Sequence, residues 1–100
     1  MSGTGTKTIQ HPVLKILRGP TVSDEKPHIH ANGQDKITWQ CDYDLNWKVH
    51  FENSPFQNNK ADFDRQHDTT PPAKQDAQGY YKYTVTTVDG SEDPGVFVDG

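Results

Sequence analysis

The chain has 100 residues, of which 30% are hydrophobic, and a formal net charge of −4 at pH 7. This length allows one small domain, and the acidic balance argues against a nucleic-acid partner because phosphate binding needs a basic surface. The sequence contains no apolar run long enough to span a membrane and no basic stretch followed by an apolar one, so we expect neither a membrane partner nor a secretion signal.

The first residues predict a flexible N-terminal tail at 1–6, since they are small and polar. A single domain is then expected over residues 7–100. Residues 7–17 are rich in β-branched and apolar side chains, but Pro12 interrupts them. Because proline cannot donate to a sheet ladder, this segment indicates an edge strand or a strand that switches between sheets.

Two segments, residues 36–41 and 47–51, alternate apolar and polar side chains. Such alternation predicts half-buried β-strands with the apolar side chains facing the core. The polar residues 42–46 between the two segments predict a hairpin connection. The residues expected to face the core are Ile37, Trp39, Cys41, Trp47, Val49 and Phe51.

Cys41 is the only cysteine, so the chain can form no internal disulfide and no cysteine-based zinc cluster. Its parity with Trp39 places the thiol toward the core, where a lone cysteine behaves as a small hydrophobe. Small extracellular β-domains are often cross-linked by disulfides, and this one cannot be. We therefore expect a cytoplasmic protein.

Residues 52–78 are polar, contain asparagine and proline, and lack sustained alternation. They predict a long loop, with a turn or two of helix at 60–67 anchored by Ala61 and Phe63. Loops of this length are uncommon in compact domains and are often functional. Asp62 and Asp64 provide a pair of carboxylates within this loop.

A third alternating segment begins at Gly79 and turns Tyr81, Tyr83 and Val85 inward, and a short final strand follows at residues 95–98. Several short strands with turns between them and almost no helical periodicity predict an all-β fold. We expect a Greek-key antiparallel β-sandwich of seven or eight strands, with an immunoglobulin-like sandwich as the alternative.

Three segments carry a resemblance to a known family. They are Gly33-Gln34-Asp35-Lys36-Ile37-Thr38-Trp39, the strand that begins at Gly79, and Gly95-Val96-Phe97-Val98. Together they resemble a cupredoxin-like, plastocyanin-type β-sandwich domain. In that family a G-D-x-[IV]-x-W strand precedes the first copper histidine. A G-x-Y-x-[YF]-x-C strand then supplies the cysteine, and a second histidine and usually a methionine follow.

Carried over by position, the copper ligands of that family are missing from this chain. The first histidine falls near Trp47 or Lys48, the cysteine at Val85 and the second histidine at about Val88, and Met1 is the only methionine. A blue-copper centre needs a thiolate and two imidazoles. The resemblance therefore implies the scaffold without copper or electron transfer, and we expect no cofactor.

His28 and His30 are the residues that suggest a metal site. Residues two apart on a strand share a face, so both imidazoles can reach one metal ion. His50 or His67 would complete the site if the fold brings one of them close. The alternative is a pair of solvated histidines beside an inward-facing Ile29.

Four aromatic residues lie outside the inward-facing pattern: Tyr43, Phe56, Tyr80 and Phe97. If two or three of them cluster at the surface, they mark a contact with a protein or a glycan. The alternative is that they belong to the core or lie beneath loops.

The sequence has no nucleophile elbow, phosphate loop or zincin helix, and its small core leaves little room for an enclosed pocket. We therefore expect no enzymatic activity. The favoured function is a non-catalytic binding module for an unknown protein or glycan, with residues 52–78 and the adjacent strand edges as the contact surface. Metal binding by the histidines is the alternative, and a small enzyme using the loop carboxylates is the third hypothesis.

Overall fold

The computed structural model describes residues 9–31 and 33–100, so the predicted tail at residues 1–6 lies outside the described residues. It confirms the all-β prediction. The strands are β1 (Val13–Leu17), β2 (Thr21–Val22), β3 (His28–His30), β4 (Thr38–Cys41), β5 (Lys48–Phe51), β6 (Asp62–Asp64), β7 (Gly79–Thr87), β8 (Gly90–Glu92) and β9 (Gly95–Asp99), with a 3-10 turn at Gln57–Asn59. Within the described part of the chain, no helix is long and apolar enough to cross a membrane.

Two mixed sheets form the sandwich. The first has the order β2-β1-β4 and the second the order β3-β9-β7-β5-β6, with β8 paired to the far end of β7. β1 is parallel to β4, and β3 is parallel to β9. The expectation of purely antiparallel pairing is therefore wrong for these two pairs. Parallel partners need long connections, so they join segments that are distant in sequence.

Residues 42–46 do not form the predicted hairpin, because β4 belongs to the first sheet and β5 to the second. The segment instead crosses from one sheet to the other. The predicted alternation itself is confirmed, since Trp39, Val49 and Phe51 are all buried and Cys41 is half-buried. Both strands bury one face, but they cover the same core from opposite sides.

Aromatic side chains from both sheets fill the core. The ring of Trp39, from the first sheet, lies 5.4 Å from that of Tyr83, 5.1 Å from Phe63 and 6.2 Å from Phe51, all from the second sheet. The indole Nε1–H of Trp39 donates a hydrogen bond to the Tyr83 hydroxyl over 3.3 Å. Burial raises the pKa of Tyr83 far above its ordinary value. The hydroxyl therefore stays neutral and serves as the acceptor that the buried indole needs.

Residues 52–78 are not a single loop, because they contain β6, which pairs with β5. The expected helix at 60–67 is wrong, although the predicted anchor Phe63 is buried. Further along, the backbone N–H of Ile37 donates to the buried hydroxyl of Thr70 at 3.0 Å, and the Thr70 N–H donates back to the Ile37 carbonyl at 2.8 Å. This segment therefore contributes to the core and to the edge of the first sheet.

Asp35 joins three segments of the chain through a carboxylate that is only 2% exposed. Its Oδ1 accepts the backbone N–H of Gln10 at 2.8 Å. Its Oδ2 accepts the backbone N–H of His30 at 2.8 Å and lies 2.8 Å from His30 Nδ1. Burial alone would raise the pKa of Asp35, but these hydrogen bonds and the imidazole outweigh burial and hold the pKa below its ordinary value.

We expect the substitution Asp35→Asn to lower the free energy of unfolding by about 1–3 kcal/mol at pH 7, because two part-buried backbone N–H groups lose a charged acceptor. A depressed folded pKa stabilises the protein above the unfolded Asp pKa of about 3.9, and this stabilisation is lost as the pH falls through the folded value. The difference between wild type and Asp35→Asn in urea unfolding should therefore narrow below about pH 4.

The matched control is Asp76→Asn, at an exposed turn position, which should change stability by less than about 0.5 kcal/mol. Equal effects of the two substitutions, or a difference that stays constant down to low pH, would contradict this role for Asp35.

Candidate functional site

Three aromatic side chains lie side by side on the outer face of the second sheet. Across the strands, His28 on β3 is the partner of Phe97 on β9, and Phe97 is the partner of Tyr80 on β7. The rings of His28 and Phe97 are stacked, with centroids 4.8 Å apart and 9° between their planes. The Tyr80 ring lies 5.0 Å from that of Phe97. We call these three residues the aromatic face.

Strand alternation explains why these residues point outward. Val96 and Val98 flank Phe97 on β9 and are buried, so Phe97 projects from the opposite side of the sheet. On β3, Ile29 is buried and His28 is exposed in the same way. Side chains on directly opposed residues of neighbouring strands lie close enough to stack. The register of three strands therefore brings the rings together.

Tyr80 is exposed, with 51% of its surface accessible. The end of its ring lies over Gly95, where a Cβ atom would overlap Cζ, Cε1 and the hydroxyl. Only glycine leaves this space free. The ring is thus supported by the backbone of β9 while half of the side chain remains open to solvent.

Both histidines of β3 meet a carboxylate through Nδ1. His28 Nδ1 lies 3.2 Å from Asp99 Oδ2, and His30 Nδ1 lies 2.8 Å from Asp35 Oδ2. Within the described ranges, no hydrogen bond uses Nε2 of either ring. The two Nε2 atoms are therefore the available nitrogens on this side of β3.

The other predicted metal ligands lie elsewhere. His50 is on β5, three strands away from β3, which is about 14 Å at ordinary strand spacing. Its Nδ1 lies 2.7 Å from Asp62, while His67 Nδ1 lies 3.4 Å from Asp64. Among the residues that the structure describes, no group of three or more His, Cys, Asp or Glu side chains is arranged to hold a metal ion.

Two of the four predicted surface aromatics do not join the aromatic face. Phe56 is fully buried, because the chain around it folds back over the core and pairs with Ala73. Its assignment to an interaction surface is therefore wrong. Tyr43 is half-buried beside Thr87, at the opposite end of β7 from Tyr80. Its hydroxyl donates to the Leu17 carbonyl at 2.8 Å, and Arg18 covers its ring at 4.6 Å.

The positions carried over from the cupredoxin pattern do not converge on one point. Val85 is buried opposite Val49 in the ladder, and Trp47 is also in the core. Val88 is 74% exposed in the turn between β7 and β8. These side chains are aliphatic or aromatic and offer no metal-binding atom.

Gly95 and Asp99 belong to the site but escaped the sequence reasoning. The sequence analysis includes Gly95 only as the start of the final strand at residues 95–98, and that strand ends before Asp99. The signal available was their outward parity with Phe97 on the same strand. Their partners on β3 and β7 depend on a register that no local pattern specifies.

No family model matches this sequence, and no curated protein is significantly similar to it. The cupredoxin resemblance accordingly depends on the sequence motifs, and the site must be interpreted from its own geometry.

We expect Gly95→Ala to displace the Tyr80 ring, because the added methyl group would occupy the space beneath it. The nuclear Overhauser effects between Tyr80 ring protons and the α-proton of residue 95 should disappear. Stability should change by less than about 1 kcal/mol, since the end of the side chain can move into solvent. Tyr80→Phe is the control and should keep the nuclear Overhauser effects between the ring and residue 95. If these effects persist in Gly95→Ala, then Gly95 does not support the Tyr80 ring.

Proposed function

We propose that this protein is a non-catalytic binding module and that the aromatic face is its contact surface. The observation that carries the proposal is the exposed Tyr80 ring, supported by Gly95 and lying beside Phe97. A tyrosine held in place offers a large contact area and loses little conformational entropy on binding. This face replaces residues 52–78 as the proposed contact surface, because that segment contributes Phe56 and Phe63 to the core.

The chemistry of the face suits a partner that combines a flat apolar surface with hydrogen-bonding groups. The Tyr80 ring supplies the apolar surface. Three polar groups surround it: the Tyr80 hydroxyl, the free Nε2 of His28 and the exposed ammonium group of Lys82. Protein side chains and the CH faces of sugar rings both match this description. The partner is therefore a protein or a glycan.

The scaffold is part of the same proposal: a cupredoxin-like Greek-key sandwich without the copper ligands. Support comes from β7 and β9, which begin at Gly79 and Gly95 as two of the segments that carry the resemblance do, while β4 overlaps the third segment at Thr38 and Trp39. The residues at the ligand positions, Trp47 or Lys48, Val85 and Val88, supply neither the thiolate nor the imidazoles that a blue-copper centre needs. No electron transfer is expected of such a scaffold, and a cytoplasmic location remains a prediction from the single cysteine.

The test is a comparison of variants on a glycan array and in affinity capture from the host extract. Tyr80→Ser should weaken binding of the retained partner at least about tenfold, because hot-spot aromatics typically contribute more than 1.4 kcal/mol. Gly95→Ala, which moves the same ring, should also weaken it.

The control is Leu45→Ser, at a residue that is 61% exposed but lies in the crossing between the sheets. It should leave binding unchanged. If the Tyr80→Ser variant binds the partner as well as wild type does, the aromatic face is not the contact surface. The same conclusion follows if Leu45→Ser is the only substitution that weakens binding.

Metal binding by His28 and His30 is the second candidate, and the carboxylates at Nδ1 favour it. Histidine ligands of metals commonly donate Nδ1–H to a carboxylate, which orients Nε2 toward the ion. Asp99 and Asp35 occupy that position here. The two Nε2 atoms would supply two ligands, with water or the partner completing the coordination.

Titration with Zn²⁺, Ni²⁺ or Cu²⁺, followed through the ¹⁵N resonances of the histidine side chains, tests this candidate. We expect the Nε2 signals of His28 and His30 to move together and saturate, and His30→Gln to weaken binding at least about tenfold because one of two protein ligands is lost. His50→Gln should have no effect. Unmoved His28 and His30 signals would exclude this function.

A further inference from the structure

A cleft of about 210 Å³ opens between the edges of the two sheets. Thr21 and Val22 of β2 form one wall. Glu92, Asp93 and Pro94 form the other wall, at the end of β8. None of the three residues of the aromatic face lines this cleft. β2 and the end of β8 border the cleft, and the backbone groups that these strands leave unpaired determine what can bind there.

The β8 side presents unpaired backbone groups. The backbone N–H of Tyr83 donates to the Pro94 carbonyl at 2.8 Å, which fixes the phase of the antiparallel ladder. Because opposed residues alternate between bonded and non-bonded pairs, Asp93 and Ser91 direct their N–H and C=O groups away from β7. β3 pairs with β9 only from Phe97 onward. No strand in the described part of the chain covers the preceding edge.

The β2 side is open in the same way. The backbone N–H of Ser23 donates to the Lys15 carbonyl at 2.9 Å, so the alternation directs the N–H and C=O of Val22 away from β1. β2 pairs with no strand other than β1 within the described ranges. Two open backbone edges therefore border one cleft.

The side chains that line the cleft are acidic. Glu25, Glu92 and Asp93 line it, and none of its lining residues is cationic. Asp93 accepts a hydrogen bond from the Thr84 hydroxyl at 2.9 Å. No ion pair among the described residues engages Glu25 or Glu92. Charge complementarity across this surface therefore calls for cationic side chains on the partner.

We propose that this cleft binds an extended, lysine- or arginine-bearing segment of another protein by β-strand addition to the β8 edge. The backbone of the segment pairs with Ser91 and Asp93, which supplies affinity without regard to sequence. Alternate side chains of an extended segment share a face, so cationic residues two apart reach Glu25 and Glu92. This surface is separate from the aromatic face, and its function does not depend on binding there.

The test uses ¹⁵N-labelled full-length protein and two synthetic peptides of about ten residues, a length that spans the cleft as a strand. One peptide alternates threonine with lysine and the other alternates threonine with glutamate. We expect the lysine peptide to shift the amide resonances of Val22, Ser91 and Asp93 in a saturable manner. The glutamate peptide should bind at least about tenfold more weakly, because like charges repel.

Two further comparisons separate strand addition from simple charge attraction. The double substitution Glu25→Gln and Glu92→Gln should weaken binding at least about tenfold. A lysine peptide that is N-methylated at alternate residues, and so cannot pair along one edge, should also bind at least about tenfold more weakly. The control substitution Asp76→Asn, remote in sequence from the cleft, should have no effect.

Several results would overturn the proposal. The proposal fails if the lysine peptide does not shift the amide resonances of Val22, Ser91 and Asp93, or if the N-methylated peptide binds as tightly as the unmodified one. Either result would mean that the carboxylates of the cleft only protect an open strand edge from pairing. Shifts of the same amides with protein concentration alone would identify a second copy as the occupant. Shifts caused by deleting residues 1–8 would identify the chain's own first residues. The Tyr80→Ser substitution, which tests the aromatic face, should not change peptide binding at the cleft, so each proposal can fail without the other.

Discussion

The contact of Trp39 with the second sheet is the interaction on which this fold depends. Only 30% of the residues are hydrophobic, so a few large side chains must join two sheets that share no strand. Trp39 contributes both the packing area and a hydrogen bond to Tyr83 across the interface. Because interiors are close-packed, removing such a ring leaves a cavity that the neighbouring aromatics fill only in part.

The surface features follow from the same strands that build this core. On β7, the residues that alternate with buried Tyr83 and Val85 must point outward. On β9 the same constraint places half-buried Phe97 on the outer side, between two buried valines. The aromatic face is thus the reverse side of a well-packed sheet. Its rigidity comes from the core beneath it, and this rigidity makes an exposed ring suitable for binding.

Local patterns predicted the strands but not how they assemble. Period-two alternation correctly identified the inward residues around Trp39, Phe51 and Tyr83, since that signal depends only on which face is buried. Phe56 and β6 were missed because proline and asparagine around them resemble a loop. The meeting of His28 with Phe97 depends on a parallel pairing between residues about 70 apart, which no short-range signal encodes. The sequence therefore singled out Tyr80, Phe97 and His28 one by one, but it predicted neither their contact with one another nor the parts played by Gly95 and Asp99.

The pairing of β3 with β9 has a consequence for the order of assembly during synthesis. The ribosome must deliver residues 95–99 before the edge strand carrying His28 can find its neighbour. Until then Ile29, which is fully buried in the finished protein, lacks the strand with which its own strand pairs. High contact order of this kind slows folding. A nascent chain that stalls before β9 would therefore hold the first sheet and the β7-β5-β6 part of the second, while β3 would lack the strand that joins it to that sheet.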